Sequence, residues 1–194
     1  MTQTQNKLSG LSSAKRAVLF DLLRKKSSPL LPVSRDRDLP LSFAQQRLWF
    51  LDRLTPDNPF YNMFGAVRLT GALDLDALRG AFREIVHRHE ALRTTFQPGE
   101  HGPVQVIAPP PAFEVPLVDL EGLAEDARQQ ELARLSGDEA RRPFHLARGP
   151  LVRTALLRIA AWEHTLLVNL HHIISDGWSM GILVHELASL YGAF

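Results

Sequence analysis

Residues 165–177 read Thr-Leu-Leu-Val-Asn-Leu-His-His-Ile-Ile-Ser-Asp-Gly, an apolar run that ends in two adjacent histidines, followed by an aspartate and a glycine. Such a run predicts a buried β-strand, whose side chains alternate between two faces. His172 therefore shares a face with Leu170, and His171 shares the other face with Asn169. The two imidazoles cannot both act on one substrate atom, so we expect one to be catalytic and the other structural. Because histidine moves protons near neutral pH, the pattern indicates an acyl-transfer or hydrolytic centre.

After this strand the sequence predicts a helix over Trp178–Tyr191, and Asp176 and Gly177 lie at its start. Asp176 is placed either to cap that helix or to hold a buried arginine. Gly177 permits close approach of the backbone, and its N–H lies at a helix N-terminus. A developing oxyanion is stabilised at such a position.

A second candidate segment, residues 88–96, reads Arg-His-Glu-Ala-Leu-Arg-Thr-Thr-Phe. We expect Arg88, His89 and Glu90 to form a solvated helix end. Arg93 is expected in the strand that follows, between apolar residues, and a buried guanidinium needs a carboxylate partner. The sequence therefore predicts a buried ion pair between Arg93 and Asp176.

Outward from these segments, helices and strands alternate in the manner of an α/β fold. Further helices are predicted at 42–54, from Asp74 or Asp76 to about His89, and at 122–141. Strands are predicted at 62–70, 91–97, 104–107, 114–118, 151–159 and 164–173. In the helix at 42–54, Phe43, Leu48 and Leu51 are expected to face inward. Ahead of it we expect disorder over residues 1–10, a helix from Ser12 or Ser13 to about Lys26, and an extended linker over 27–40.

Composition narrows the class of protein. The 194 residues suffice for one domain or for one lobe of a larger body. The formal net charge of +1 gives no broad attraction to nucleic acid or to membranes. The chain has no cysteine, which excludes disulfides, thiolate metal sites and a cysteine nucleophile, and which fits a cytoplasmic location. Neither a signal peptide nor a membrane span is evident in the sequence.

Three segments follow one another along the chain: Ser-x-Ala-Gln-x-Arg-Leu-Trp-Phe-Leu at 42–51, Arg-His-Glu-x-Leu-Arg-Thr-x-Phe at 88–96, and His-His-x-x-x-Asp-Gly at 171–177. Pro-Phe-x-Leu-x-x-Gly-Pro-Leu-x-Arg lies at 143–153. In this order they closely resemble core motifs of the condensation domains of nonribosomal peptide synthetases. The resemblance covers nearly everything from Leu41 to Phe194, with residues 1–40 as a preceding helix and linker.

The resemblance implies a chloramphenicol-acetyltransferase-like α/β lobe, with a mixed sheet flanked by helices. It is one of two lobes around a tunnel. In that tunnel the amine of an acceptor aminoacyl thioester attacks a donor acyl thioester. Both are carried on phosphopantetheine arms of partner carrier proteins, and no cofactor or metal binds the lobe directly.

By position, the resemblance makes His172 the active-site histidine. This histidine either takes the proton of the attacking amine, or orients the amine and stabilises the tetrahedral species. Asp176 corresponds to a structural aspartate, and the Gly177 amide lies near the thioester oxygen. His171 and Arg93 are expected to support the site.

Two departures qualify the resemblance. His145 stands where the family usually has aspartate, which puts a local turn or hydrogen bond in question. The sequence also ends shortly after the third motif, so we interpret it as a truncated N-terminal lobe without its second lobe. The final helix is apolar on most sides, and we expect the isolated chain to lack condensation activity and to aggregate or dimerise.

Other functions remain open at this point. The same fold could make an ester from a hydroxyl acceptor, or the chain could be an inactive remnant that still docks a carrier protein. A metal site built from His171, His172 and Asp176 is disfavoured, because the two histidines point in opposite directions.

Overall fold

The structure, a computed structural model, describes residues 33–194. The predicted disorder over 1–10 and the predicted helix ending near Lys26 lie outside the described residues. Asp38–Phe194 forms one compact unit. Its elements in chain order are β1 Leu39–Pro40, α1 Phe43–Leu54, β2 Asn62–Thr70, α2 Leu75–Arg88, a 3₁₀ turn Glu90–Arg93, β3 Thr94–Gly99, β4 Gly102–Ile107, β5 Leu117–Asp119, α3 Glu125–Arg141, β6 Val152–Ala160, β7 Glu163–His171 and α4 Gly177–Tyr191.

The larger sheet has four strands in the order β2-β7-β6-β5. The strands β2, β7 and β6 are antiparallel neighbours, whereas β5 runs parallel to β6. On β7, Val168 lies opposite Gly65 of β2 and Thr154 of β6. The predicted mixed sheet is confirmed, and the strand of the two histidines lies within it.

Alternating residues of this sheet pack against helices on both sides. Leu166 and Leu170 of β7 lie in a core cluster with Leu78 and Phe82 of α2, which partly buried residues of α4 also contact. Leu167 faces the other way, into a cluster that Leu132 and Leu135 of α3 cover. The predicted alternation along β7 is therefore confirmed, and the lobe has a helix–sheet–helix arrangement.

A second, three-stranded sheet has the order β1-β4-β3. Leu39 and Pro40, predicted to be linker, form its short first strand opposite Gln105 and Val104. A third core cluster, which includes Leu41, Phe96, Phe144 and Ile173, joins this sheet to the segment that follows β7. The smaller sheet therefore supports the turn in which the candidate residues lie.

Two sequence predictions fail in this region. Phe43, expected to face inward from α1, is 91% exposed, whereas Leu48 does pack against the third cluster. The strand predicted from Ala91 begins only at Thr94, because residues 90–93 form a 3₁₀ turn. Arg93 consequently ends a turn and does not lie in a strand.

We expect the first turn of α2 to depend on its cap. The carboxylate of Asp74 accepts hydrogen bonds from the N–H groups of Asp76 and Ala77. Asp74→Ala should lower the free energy of unfolding by about 1 kcal/mol, the usual value of an N-cap. Asp76→Ala is the matched control, because the Asp76 side chain is 91% exposed and does not cap. Urea denaturation of both variants checks this, and equal losses would contradict the assignment of the cap.

Candidate active site

The segment after β7 is a tight turn held by strands on both sides. The N–H of His171 donates to Leu151 O at 3.0 Å, and the N–H of His172 donates to Tyr61 O at 2.8 Å. Ile174 N–H then donates back to His171 O at 3.1 Å, which closes the turn. The strand therefore ends at His171, two residues earlier than predicted, and α4 begins at Gly177.

His172 is exposed, and its ring is fixed by one hydrogen bond. Nδ1 lies 2.8 Å from the carbonyl oxygen of Ser175. Because a carbonyl oxygen can only accept, Nδ1 must carry the hydrogen. The proton of the neutral ring is therefore on Nδ1, which leaves the lone pair of Nε2 free to act as a base.

His171 has the opposite environment. It is buried between the rings of Tyr61 and Phe144, with centroid distances of 6.2 and 6.1 Å. Its Nδ1 accepts a hydrogen bond from Ile173 N–H at 3.1 Å, so the ring must be neutral with its hydrogen on Nε2. Burial, and to a smaller extent the neighbouring His172, lowers the pKa of His171 to about 4. His171 therefore shapes the turn and does not exchange protons near neutral pH.

Asp176 caps α4, which was the first of the two roles that the sequence left open for it. Its Oδ1 accepts from the N–H of Ser179 at 2.8 Å and from the hydroxyl of Ser179 at 2.6 Å. These hydrogen bonds lower the pKa of Asp176, so it is ionised at neutral pH. Gly177 is the first residue of the helix, where an N–H has no acceptor within the helix. Apart from its two chain neighbours and the backbone of its own helix, a Cβ at Gly177 would meet no heavy atom of the described chain within 4 Å.

The predicted ion pair between Arg93 and Asp176 is wrong. Asp176 is exposed, and Arg93 Nη1 donates to Ala108 O at 2.6 Å. Its Nη2 lies 3.9 Å from Glu90 Oε1. The 3₁₀ turn explains the difference, because it directs the guanidinium of Arg93 toward the end of β4. Arg93 thus holds β4 to this turn.

The segment at 42–51 contributes Gln45 to the same turn. Ser42 and Gln45 form a capping box at the start of α1. Gln45 Oε1 accepts from Ser42 N–H at 2.9 Å, and Gln45 Nε2 donates to Ile173 O at 3.3 Å. One amide side chain therefore caps α1 and ties it to the turn beside His172.

A polar cluster behind His171 anchors the C-terminal end of α3. The guanidinium of Arg153 lies 3.7 Å above the ring of Phe144, which contacts His171 edge-on. Arg153 Nε donates to Glu139 Oε1 at 2.6 Å, and Asn169 Nδ2 donates to Glu139 O at 2.7 Å. Helix ends leave carbonyl groups unpaired, so these side chains satisfy that end while they support His171.

The surroundings of two further histidines differ from what the sequence predicted. His89, expected to be solvated, places its Nε2 2.7 Å from Glu186 Oε2, so it joins the C-terminal end of α2 to the interior of α4. His145, the departure from the family pattern, still forms its turn: its carbonyl accepts from Arg148 N–H at 3.0 Å and Gly149 N–H at 2.9 Å. Its Nδ1 lies 3.4 Å from Asp57 Oδ1.

The structure thus brings together His171, His172, Asp176 and Gly177, and separates Arg93 from them. Sequence reasoning missed Glu139, Arg153 and Gln45 as supports of the site. Asn169 could have pointed to this support, because an amide side chain in a buried strand needs a hydrogen-bond partner. Within residues 33–194, no group of three His, Cys, Asp or Glu side chains is arranged to hold a metal ion, and no helix is long and apolar enough to cross a membrane.

Comparison with known proteins places this geometry in a family. Residues 35–194 match the family described as the condensation domain. The chain belongs to the condensation-domain family. It is 52% identical over 165 residues to one of the subunits of linear gramicidin synthase from Brevibacillus parabrevis, covering 85% of this chain and 3% of that protein. It is 38% identical over 202 residues to the phosphinothricin tripeptide synthetase PhsC of Streptomyces viridochromogenes, covering all of this chain and 18% of the relative.

Solved condensation domains share the fold. The starter condensation domain of rhizomide synthetase superposes with a TM-score of 0.73 at 29% identity, over 81% of this chain and 38% of that chain. The first condensation domain of the calcium-dependent antibiotic synthetase gives a TM-score of 0.71 at 28% identity, over 79% and 37% of the two chains. The condensation-domain lobe implied by the motifs is confirmed, and the chain spans well under half of these solved domains.

The burial of His171 gives a testable pH dependence. Its pKa is lowered from 6.5 to about 4, so the unfolded chain binds the proton more readily. Folding stability should therefore fall as the pH drops from about 6.5 toward 4, by about 3 kcal/mol from this residue. His171→Asn keeps an acceptor for Ile173 N–H but does not titrate. Urea denaturation at several pH values should show a shallower loss in this variant, and an identical loss would contradict the burial of a neutral ring.

The Glu139–Arg153 pair should be worth far more than the exposed ion pairs of α3. Each side chain is only 15% exposed, so Arg153→Met leaves a nearly buried carboxylate with only Asn169 Nδ2 at 3.3 Å and the exposed Arg142 guanidinium at 4.0 Å in the described chain. We expect a loss of about 3 kcal/mol in the free energy of unfolding. Arg134→Met, which removes a 56% exposed arginine of α3, should cost under about 1 kcal/mol. A double variant with Glu139→Gln should recover part of the loss, and additive losses would contradict the pairing.

Proposed function

We propose that this chain is the N-terminal part of a condensation domain that joins a donor acyl thioester to an acceptor aminoacyl thioester through an amide bond. The observation that carries this is the ring of His172, whose Nδ1 is tied to Ser175 O while Nε2 is free. A double mutant of a solved relative, the starter condensation domain of rhizomide synthetase, has been captured with C8-CoA. Another has been captured with a substrate analogue.

The reaction follows from these groups. The acceptor amine attacks the donor carbonyl carbon while Nε2 of His172 accepts a hydrogen bond from the amine and then its proton. The carbonyl oxygen gains negative charge beside the N–H of Gly177 at the start of α4, where the helix favours an anion. The tetrahedral species collapses as the C–S bond breaks, and the proton passes from His172 to the leaving sulfur. The amide leaves on the acceptor, and the donor carrier keeps a free thiol.

In this proposal the partners are carrier domains, whose phosphopantetheine arms present both substrates. Asp176 acts through the helix that it caps and fixes the position of Gly177. His171 supports the turn, and Arg93 supports it only indirectly, through β4. We also propose that residues 1–40 are an N-terminal helix and linker and that residues 41–194 are the lobe. The compact unit of the structure begins slightly earlier, at Asp38. A cytoplasmic location is also part of it.

We further propose that a second lobe completes the site. Helix α4 carries apolar side chains that the described chain leaves open to solvent: Trp178 is 82% exposed, Val184 53% and Ile182 45%. An exposed patch of this kind is typical of an interface. Catalysis requires donors and base to be preorganised around the substrate, so we expect the lobe by itself to be inactive.

The test uses a chimaeric domain in which residues 38–194 replace the matching segment of the gramicidin synthase relative from Brevibacillus parabrevis. Loaded donor and acceptor carriers are supplied, and amide formation is followed by mass spectrometry. His172→Ala should slow the reaction by about 10²- to 10⁴-fold, the usual loss of a general base. His101→Ala, which removes an exposed histidine from the turn between β3 and β4, should leave the rate unchanged.

Equal rates for the His172→Ala chimaera and the parent would contradict the assignment of the base. A hydroxyl acceptor offered in place of the amine separates amide from ester formation. Residues 1–194 assayed without the rest of the domain should give no product, and amide formation by that chain would contradict the need for a second lobe. A chimaera that binds loaded carriers but never turns over would favour the docking remnant.

A further inference from the structure

Helix α4 carries a single formally charged side chain, and that side chain turns inward. The helix reads Gly-Trp-Ser-Met-Gly-Ile-Leu-Val-His-Glu-Leu-Ala-Ser-Leu-Tyr, and Glu186 is its only Asp, Glu, Lys or Arg. Trp178 and Val184 of the same helix are 82% and 53% exposed, whereas the Glu186 side chain is only 21% exposed. A carboxylate normally occupies the solvated face of a surface helix. The reason for the inward position of Glu186 must therefore lie in its partners.

Glu186 contacts the C-terminal end of α2. Its Oε2 lies 2.7 Å from Nε2 of His89, the C-cap residue of α2, and 3.7 Å from Nη1 of Arg88. An ionised carboxylate can only accept, so Nε2 of His89 donates in this hydrogen bond. A hydrogen bond to a charged acceptor is stronger than a neutral one, and partial burial shields this one from water. The contact joins two residues that are 97 positions apart in the chain.

Apolar packing around this hydrogen bond is incomplete. A cavity of about 160 Å³ lies between the C-terminal end of α2 and the first half of α4, and Ile85 and Ile182 are among its lining residues. Such a gap forfeits the dispersion contacts that packed side chains would make. Gly181, in the interior of α4, weakens the helix by about 1 kcal/mol relative to alanine. The hydrogen bond between His89 and α4 therefore restrains the helix where packing does not.

The same cavity extends to the turn of the candidate active site. Besides His89, it is lined by Ser175 and Ser179. The carbonyl of Ser175 accepts the hydrogen bond that orients the ring of His172. The N–H of Ser179 donates to the carboxylate of Asp176, which caps α4. The end of α2 that carries His89 thus faces, across one cavity, the groups that fix the ring of His172 and the start of α4.

We propose that the hydrogen bond between His89 and Glu186 positions α4 for the condensation step. Glu186 follows Gly177 by nine residues, which is about 14 Å along a helix. Attachment of Glu186 to α2 therefore fixes the N–H of Gly177 relative to Nε2 of His172. His89 and Glu186 are positioning residues, since they act through α4. The effect on catalysis rests on the proposed function, whereas the attachment of α4 to α2 does not.

The experiment measures kcat and KM for amide formation by the chimaeric domain with loaded carriers, at a temperature at which thermal melts show every variant to be folded. Glu186→Ala should lower kcat about 10- to 100-fold, with KM changed by less than about twofold, because only the geometry of the transition state is disturbed. His89→Ala should have the same effect. The double variant should be no slower than either single variant, because each removes the same interaction.

Conservative variants separate positioning from a general loss of structure. Glu186→Gln keeps an oxygen that accepts from His89, and His89→Gln keeps an N–H that donates to Glu186. Each should therefore retain kcat to within about threefold of the parent. Glu84→Ala is the matched control, because it removes a carboxylate that contacts the same Arg88 at 3.4 Å, within α2. This control should leave kcat unchanged.

Hydrogen exchange, followed by mass spectrometry in the same chimaera, tests the attachment of α4 without catalysis. The amides of residues 181–186, which have acceptors within α4, should exchange about tenfold faster in Glu186→Ala than in the parent or in Glu84→Ala. A chimaera that never forms amide, yet shows this faster exchange, would contradict the proposed function alone.

Four results would overturn the positioning role. They are unchanged exchange in Glu186→Ala, unchanged kcat in an active Glu186→Ala chimaera, additive losses in the double variant, and equal losses of kcat in Glu186→Gln and Glu186→Ala. A Glu186→Ala chimaera that does not fold at any temperature would also count against it, because a positioning contact leaves the fold intact.

Discussion

The burial of β7 on both faces is the constraint on which the rest of this lobe depends. Leu166 and Leu170 face one cluster and Leu167 faces another. A slip of one residue would reverse every side chain and place the other histidine inside, so the two clusters fix the register. The strand therefore ends with His171 buried and His172 exposed, and this asymmetry separates the two imidazoles chemically.

Short-range hydrogen bonds then give each of the two histidine rings a different tautomer. The buried ring accepts from Ile173 N–H, and the exposed ring must donate to Ser175 O. Four residues after His172, Asp176 caps α4, which begins at Gly177. The proposed base, His172, and the N–H of Gly177 that is proposed to stabilise the anion are therefore five residues apart in the chain, on either side of one turn.

The polar groups in the sheet explain why this turn is held firmly. Burial of a charge is costly unless it is paired and hydrogen-bonded, and the Glu139–Arg153 pair meets that condition through the end of α3. The guanidinium of Arg153 also lies over the ring of Phe144, which contacts His171 edge-on. Helix α4, in contrast, has no fully buried residue in the described chain. The same lobe thus combines a hydrogen-bonded support behind His171 with a helix, α4, that the described chain covers only in part.

The sequence by itself determined the order of helices and strands and the opposite directions of His171 and His172, because these follow from local periodicity. It left Asp176 open between a helix cap and an ion pair with Arg93. It also determined the family, since three ordered motifs are specific. Tertiary structure alone decided the partners of Arg93, the inward support from Gln45, Glu139 and Arg153, and the exposure of Phe43. Those contacts join residues distant in the chain, and a 3₁₀ turn of four residues was enough to redirect Arg93. Periodicity predicts which face a residue occupies, but a hydrogen-bond partner depends on how separate elements pack.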